Sequence, residues 1–205
     1  MTKIKKTAQI IAYESIRESI INGEFAGGGM KLVEEKLAIK IGVSRTPIRD
    51  AIRRLEQEGF INNKKVIKPT ETDLRNQFEM RMLIESYAAS KAASYMIDDD
   101  IAKLKNAIHI ARISEDNGEV IKQNKEFHDL IVLESRNPIM IETVNRMQSI
   151  IYLFSRAVVL HKRPGLIDEH EEILKAIIER DPEMTSQKMK EHLHSDLEFT
   201  LRIIK

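Results

Sequence analysis

The sequence contains no cysteine and no tryptophan, and only 5% of its residues are aromatic. The absence of cysteine excludes disulfides and thiolate-bound metal sites. No apolar run reaches the roughly 18 residues that a membrane-spanning helix needs. The basic N-terminal residues are not followed by the long apolar stretch of a secretory signal. From these absences we expect a cytoplasmic protein with no membrane partner.

Proline and glycine are scarce and unevenly placed, with five prolines and eight glycines in 205 residues. Six of the glycines fall within the first 60 residues. Hydrophobic residues make up 42% of the chain and charged residues 32%, which is typical of a globular protein. We therefore expect a mainly α protein, with short, tightly turned elements at the front and long helices behind them.

The front third has the pattern of three helices followed by a β-hairpin. Apolar spacing predicts helices over 7–22, 34–41 and 44–59, each of which ends at a glycine. Short apolar segments at 60–61 and 66–67, joined by a polar turn, predict the hairpin. The Pro-Thr-Glu-Thr stretch that follows predicts a domain boundary, which gives domains over 1–69 and 70–205.

The third helix has a recognisable start signal. Ser44 or Thr46 can act as its N-cap by accepting backbone N–H bonds. Pro47 is tolerated in the first turn, where backbone N–H groups lack helical partners.

The remainder of the chain shows no strand pattern. Asp98 and the pairs Asn137-Pro138 and Asp181-Pro182 are start signals for helices. The predicted helices form an antiparallel all-α bundle of about six, over 72–96, 98–112, 117–135, 138–161, 166–180 and 182–203.

Charge is distributed unevenly along the chain. The whole sequence carries a formal net charge of +1. Residues 40–68 alone contain eight basic and three acidic side chains, so the rest of the chain is acidic. A local basic surplus of this kind indicates double-stranded DNA as a partner.

The helices over 34–41 and 44–59, with the short turn between them, have the pattern of a helix-turn-helix, and the hairpin makes it winged. Arg45 and Arg49 lie one turn apart, on the side away from the apolar stripe. In this arrangement the arginines reach guanine edges and Ser44 and Thr46 lie near phosphates. At the wing tip, Lys64 and Lys65 are expected to contact the DNA backbone or the minor groove. The alternative is an ordinary solvated helix face.

Residues 13–67 resemble the winged helix of the GntR family of bacterial transcription regulators. The similarity is carried by Leu32-Val33-Glu34-Glu35-Lys36-Leu37-Ala38, by Val43-Ser44-Arg45-Thr46-Pro47-Ile48-Arg49 and by Leu55-Glu56-Gln57-Glu58-Gly59-Phe60-Ile61. The resemblance implies that Ser44, Arg45, Thr46 and Arg49 contact operator DNA. The chain departs from many relatives at the hairpin tip, where Asn63-Lys64-Lys65 replaces a glycine-containing turn.

Polar residues interrupt the apolar stripes of the rear helices. Asn124 and His128 lie one turn apart within such a stripe, and His170 and His192 occupy similar positions on later helices. A buried imidazole needs a hydrogen bond or a metal. The two interpretations are a metal site and three separately hydrogen-bonded core histidines. No carboxylate is recognisable beside the three histidines from the sequence alone.

Residues 72–205 are similar to the FCD ligand-binding domain of the FadR-type GntR subgroup. The similarity rests on Arg81 to Ala93, Phe127-His128, Asn137-Pro138, Glu169-His170 and His192-Leu193. It implies a divalent metal held by an Asp-x3-His pair and two later histidines. His128, His170 and His192 match the histidine positions, and Asn124 replaces the Asp. Three imidazoles favour Zn²⁺ or Ni²⁺ over Mg²⁺ or Ca²⁺.

The same resemblance implies a small organic acid as effector, bound beside the metal, and a homodimer. Arg81 is the predicted cationic partner of the acid, and the alternative for Arg81 is a surface or interhelix ion pair with Glu85. The sequence thus predicts a dimeric transcription regulator, a repressor whose operator affinity an effector controls. The other hypotheses are a metal-free sensor of the same architecture and a His-ligated metal hydrolase.

Overall fold

The structure is a computed structural model, described here over residues 7–21, 24–25, 31–67 and 70–203, with side chains of 21 and 148–157 left aside. The chain divides into two compact units, the second of which begins at Thr70. No helix among the described residues is both long and apolar enough to cross a bilayer.

Over its described residues, the N-terminal unit consists of three helices and a two-stranded antiparallel sheet. Its elements are α1 (Ala8–Ile21), α2 (Glu34–Ile41), α3 (Arg45–Gln57), β1 (Ile61–Asn62) and β2 (Lys65–Val66). Helix α1 packs against α3, and Ile16, Ile48 and Leu55 are fully buried in this unit. The predicted order of helices and hairpin is confirmed.

The turn between α2 and α3 depends on Gly42. Its φ of 76° lies in the left-handed region, and its N–H donates to the Ala38 carbonyl at the end of α2. Ser44 is the N-cap of α3, but its side chain accepts no cap hydrogen bond, so that part of the prediction is wrong. The reason is that Pro47 occupies the third helical position, where the usual cap partner would be an N–H that proline lacks.

The hairpin is tighter than predicted. Ile61 pairs with Val66 and Asn62 with Lys65, so each strand is displaced by one residue and the turn has only two residues. Those residues, Asn63 and Lys64, have φ values of 50° and 60°. Two left-handed residues make a type I′ turn, whose twist matches that of the strands.

The C-terminal unit is a helical bundle, as predicted. Between residues 70 and 203 it contains six helices, α4 (Glu71–Tyr95), α5 (Asp98–Ile113), α6 (Asn117–Leu133), α7 (Pro138–Leu160), α8 (Leu166–Ile178) and α9 (Pro182–Ile203). Every end lies within two residues of its predicted position. Helices α4 and α9 pack closely, because α4 turns a row of buried alanines toward the core.

The start signals of the bundle helices act as expected in two cases. The Asn137 side chain accepts the Ile139 N–H at 3.0 Å, and the Asp181 side chain accepts the Met184 N–H at 2.9 Å. Asp98 instead lies in the first turn of α5, where its charge complements the helix dipole.

Candidate metal centre and nucleic-acid interface

Three helices of the bundle bring their histidines to one point. His128 lies on α6, His170 on α8 and His192 on α9, and all three are buried. The Nε2 atom of His192 is 3.3 Å from that of His128 and 3.3 Å from that of His170. Each ring offers one nitrogen, and these three atoms all lie within 4.8 Å of one another. The histidines therefore form one cluster rather than three separate core sites.

Two carboxylates fix the orientation of the rings. The Nδ1 atom of His128 lies 2.7 Å from the Glu85 carboxylate, and that of His192 lies 2.8 Å from the Glu169 carboxylate. A carboxylate only accepts hydrogen bonds, so Nδ1 of His128 carries the proton, and the shorter contact of His192 with Glu169 than with Arg163 favours the same tautomer there. The Nε2 lone pairs of His128 and His192 are thereby directed into the cluster, as in metal-ligating histidines.

Burial favours the neutral form of His128 and of His170. Desolvation lowers the pKa of His128, although Glu85 opposes this effect. The pKa of His170 is lowered well below its usual value, first by burial and then by the neighbouring His192 and His128. Neutral imidazole is the form that ligates metal. Converging lone pairs repel one another without a cation, so the donor set fits a divalent metal.

Charged side chains surround the cluster, and most of them were not predicted. Burial would raise the pKa of Glu85, but Arg81 and His128 outweigh it and hold the value at about 2. Burial is likewise outweighed at Glu169, where Arg163 and His192 hold the pKa at about 2. Two carboxylates therefore lie beside the histidines, although neither was recognisable there from the sequence.

Arg163 is the main residue of this site that the sequence did not reveal. Its side chain is 3% exposed, and it binds Glu169 at 2.5 Å and Asp196 at 2.7 Å. Its guanidinium also lies 3.2 Å from Nδ1 of His192. The only local signal for this charged group was Asp196, which lies one helical turn after His192.

Arg81 and Asn124 are both buried at 2% exposure. The ion pair of Arg81 with Glu85 is present, with Nε 2.6 Å from the carboxylate. It lies inside the bundle and within α4, so its expected position at the surface or between helices is wrong. Asn124 lies one turn before His128 on α6, and its role as a ligand stays a prediction.

A cavity of about 310 Å³ lies where the end of α7 meets the start of α8. Arg163 contributes to its wall and thus lies between the cavity and the histidine cluster. The other lining residues mix cationic and apolar side chains, and they include Arg112, Lys162, Val120, Val158 and Leu166.

The start of α3 presents the residues expected to read DNA. Ser44, Arg45, Thr46 and Arg49 are exposed. The opposite face of α3 is buried and carries Ile48, Ala51, Ile52 and Leu55. This two-sided helix matches the predicted pattern, and contact with operator DNA stays a prediction.

The wing lysines differ in their surroundings. Lys64 is held by both its side chain and its backbone. Its Nζ lies 2.8 Å from the Glu34 carboxylate, and its N–H donates to the Glu56 carboxylate at 2.9 Å. Lys65 is exposed and pairs with Asn62 through its backbone. Glu34 also lies 3.4 Å from Nε of Arg49. Sequence reasoning missed Glu34, since nothing in its spacing indicates contact with residues 15 and 30 positions later.

Two family models match the chain. The model described as bacterial regulatory proteins, gntR family, covers residues 10–65. The FCD domain model covers residues 76–195, which is more than half of the chain.

Named relatives align over most of their own length. HTH-type transcriptional regulator YdhC of Bacillus subtilis is 25% identical, covering 94% of this chain and 90% of the relative. The gluconate operon transcriptional repressor of Bacillus licheniformis is 27% identical, covering 89% and 79%. The transcriptional repressor NanR of Klebsiella aerogenes is 26% identical, covering 93% and 84%.

Solved structures share the fold. The structure of McbR/YncC from E. coli superposes with a TM-score of 0.77 at 17% identity, covering 98% of this chain and all of the other. A GntR regulator from Rhodococcus sp. RHA1 gives a TM-score of 0.74 at 19% identity, covering 96% and 99%.

The matched families and the named relatives are transcriptional regulators, which confirms the prediction of a regulator rather than an enzyme. The chain belongs to the gntR family of bacterial regulatory proteins and carries an FCD domain in its C-terminal unit.

Proposed function

We propose that this protein is a repressor whose winged helix, within residues 1–69, reads a palindromic operator and whose bundle, residues 70–205, binds the controlling effector. The observation that carries the proposal is the exposed start of α3, where Arg45 and Arg49 lie on the side of the helix opposite its buried apolar face. Bacterial DNA lies in the cytoplasm, so we place the protein there.

The test uses a duplex selected by the protein from a randomised library. Arg45→Ala and Arg49→Ala each remove a predicted base contact, so each weakens binding to that duplex by about 5- to 150-fold. A matched control is Arg75→Ala, which removes an exposed arginine from the first turns of α4. Unchanged affinity and an unchanged salt dependence in both α3 variants would exclude this helix as the reading element.

We also propose that the histidine cluster holds a divalent metal, either Zn²⁺ or Ni²⁺. Support comes from three buried imidazoles with converging Nε2 atoms and from the Glu85 and Glu169 carboxylates behind two of them. Asn124 would add a neutral carbonyl oxygen as fourth ligand. When bound, the metal would supply a buried positive charge that attracts an anionic effector. Elemental analysis of purified protein, with His170→Ala as comparison, tests this proposal.

The second candidate is a sensor of the same architecture that works without metal. The observation in its favour is Asn124, because an amide in place of a carboxylate removes one negative charge from the donor set. Metal titration of the wild type beside Asn124→Asp separates the two candidates. Tight binding only in the Asp variant would favour the metal-free sensor, and tight binding in both would favour the metal-dependent one.

The effector we propose is a small organic acid, held beside the cluster with Arg81 as its cationic partner. Arg81 reaches the cluster through Glu85, which it shares with His128. One relative is named for a gluconate operon, so sugar acids are the first compounds to screen by thermal shift. Arg81→Lys keeps the positive charge but loses the planar guanidinium that can bind a carboxylate through two hydrogen bonds. The variant should therefore bind the acid found in that screen more weakly.

A homodimer is the assembly we propose. A single winged helix covers only about 600–1,000 Å² of DNA-binding surface, which favours two copies on a palindrome. Met80, Leu83 and Tyr87 form an exposed apolar stripe at helical spacing on α4, with Leu83 63% exposed. We propose that a second copy covers this stripe. A monomeric Leu83→Glu variant in sedimentation analysis would support this interface, and an unchanged dimer would exclude it.

A further inference from the structure

One carboxylate joins the recognition helix, α3, to the wing formed by β1 and β2. Glu34 opens α2, and its side chain is only 11% exposed. One of its oxygens lies 2.8 Å from Nζ of Lys64 at the wing tip, and the other lies 3.4 Å from Nε of Arg49 on α3. The bond to Lys64 outweighs partial burial and lowers the pKa of Glu34, so the carboxylate is ionised at neutral pH.

The wing tip is held at three points through Lys64. Its side chain binds Glu34, its N–H donates to the Glu56 carboxylate, and its carbonyl accepts the Leu32 N–H at 2.7 Å. Glu56 lies on α3, and Leu32 lies two residues before the start of α2. These bonds fix the wing relative to the recognition helix.

The contact of Glu34 with Arg49 leaves most of the Arg49 side chain exposed. Only Nε faces Glu34, and the side chain of Arg49 remains 68% exposed. The two terminal nitrogens of the guanidinium are therefore available for the fork geometry that reads O6 and N7 of guanine. Holding Nε restricts the rotation of the guanidinium before DNA arrives, which is preorganisation of a flexible side chain.

These ion pairs have little value for stability. Arg49 and Lys64 are 68% and 49% exposed, and exposed pairs of this kind contribute little to folding. A negative charge on a DNA-binding surface also repels phosphate, so Glu34 weakens sequence-independent attraction. The contribution of Glu34 to DNA binding therefore lies in how it positions Arg49 and Lys64.

We infer that Glu34 is a positioning residue that gives the winged helix its sequence discrimination by aiming Arg49 and fixing the wing through Lys64. The inference rests on the proposed DNA-reading function. It assigns to Lys64 the role of an anchor, and it leaves Lys65 as the tip cation that meets the DNA backbone.

The test compares Glu34→Gln, Glu34→Asp and the matched control Glu35→Gln. Glu35 is the next residue of α2, it is exposed, and no ion pair of it appears among the described residues. Fluorescence anisotropy gives dissociation constants for the duplex selected by the wild type and for a scrambled duplex. The readout is the ratio of the two constants, and thermal melting confirms that each variant is folded.

Both Gln variants lose one negative charge, so both bind the scrambled duplex more tightly. Only Glu34→Gln should lose discrimination, with its ratio falling about tenfold, as expected for one misplaced guanine contact. Glu34→Asp keeps the charge but is one methylene shorter, so it should also lose discrimination while binding the scrambled duplex like the wild type.

Equal ratios in Glu34→Gln and Glu35→Gln would overturn the inference, and so would a Glu34→Asp variant that discriminates like the wild type. A wild type that selects no duplex from the library would instead defeat the DNA-reading function itself. If Glu34→Gln does not fold, the Asp variant decides the matter alone.

Discussion

At the scale of single residues, the histidine cluster is defined by its charged neighbours. Glu85 binds His128 and Arg81 at the same time, and it is 1% exposed. An ion pair at this depth is costly to break, because the remaining charge stays buried without a partner. The same carboxylate therefore supports the fold and orients a proposed metal ligand.

Replacing Glu85 by Gln leaves the Arg81 guanidinium buried and unpaired. We expect the free energy of unfolding to fall by about 3–5 kcal/mol in urea denaturation of metal-free protein. Glu71→Gln is the matched control on the same helix, since the Glu71–Arg75 pair is exposed and should change stability by less than about 1 kcal/mol. Similar losses in the two variants would show that Glu85 is not buried as the structure has it.

Because Glu85 has its pKa lowered from 4.5 to about 2, it is harder to protonate in the folded state than in the unfolded chain. The same is true of Glu169. Their contribution to stability is present above pH 4.5 and is lost as the pH falls from there toward 2.

The lowered pKa values of His128 and His170 act in the same direction, beginning below their ordinary value of 6.5. We expect urea midpoints of chelator-treated protein to decline from pH 7 to pH 4, most steeply below 4.5. A midpoint that rises over this range would contradict the arrangement of the cluster.

At the scale of elements, helices were predictable and hydrogen-bonding partners were not. Apolar spacing and the Asn137-Pro138 and Asp181-Pro182 signals located the bundle helices because caps and periodicity are local properties. The missing Ser44 cap was a local effect as well, but it required knowing that Pro47 would fall at the third helical position.

The hairpin shows why the turn was predicted one residue too wide at each end. Neither Asn63 nor Lys64 is a glycine, yet both adopt left-handed φ values. The backbone bonds of Lys64 to Glu56 and Leu32 come from elsewhere in the unit and compensate for that conformation. Such tertiary support has no signature in the sequence of the turn itself.

The left-handed backbone of Lys64 makes glycine acceptable there. We expect Lys64→Gly to leave the free energy of unfolding unchanged or to raise it by up to about 1 kcal/mol, because strain is relieved while an exposed ion pair is lost. Lys65→Gly is the control, because Lys65 lies in β2 and has no left-handed strain for glycine to relieve. This variant should lower the free energy of unfolding by about 0.5–1 kcal/mol. If thermal or urea unfolding gave the opposite order, the turn would not be of type I′.

At the scale of the whole molecule, the distribution of charge and of helix-breaking residues predicts two domains. The basic surplus over 40–68 and the break before Thr70 separate a winged helix from an acidic bundle. The three clustered histidines were singled out by spacing and resemblance. Their partners were not, because His128 and Glu85 are 43 residues apart and Arg163 and His192 are 29 apart, and no pattern in one sequence links such distant positions.

The central claim is that a ligand of the bundle controls how tightly the winged helix holds its operator. Fluorescence anisotropy of the selected duplex, with and without the organic acid found by thermal shift, tests it most directly. We predict a change in dissociation constant of about 5- to 150-fold for the wild type, and no change for His170→Ala, which should still bind the duplex. An acid that binds the wild type and leaves its operator affinity unaltered would contradict the account.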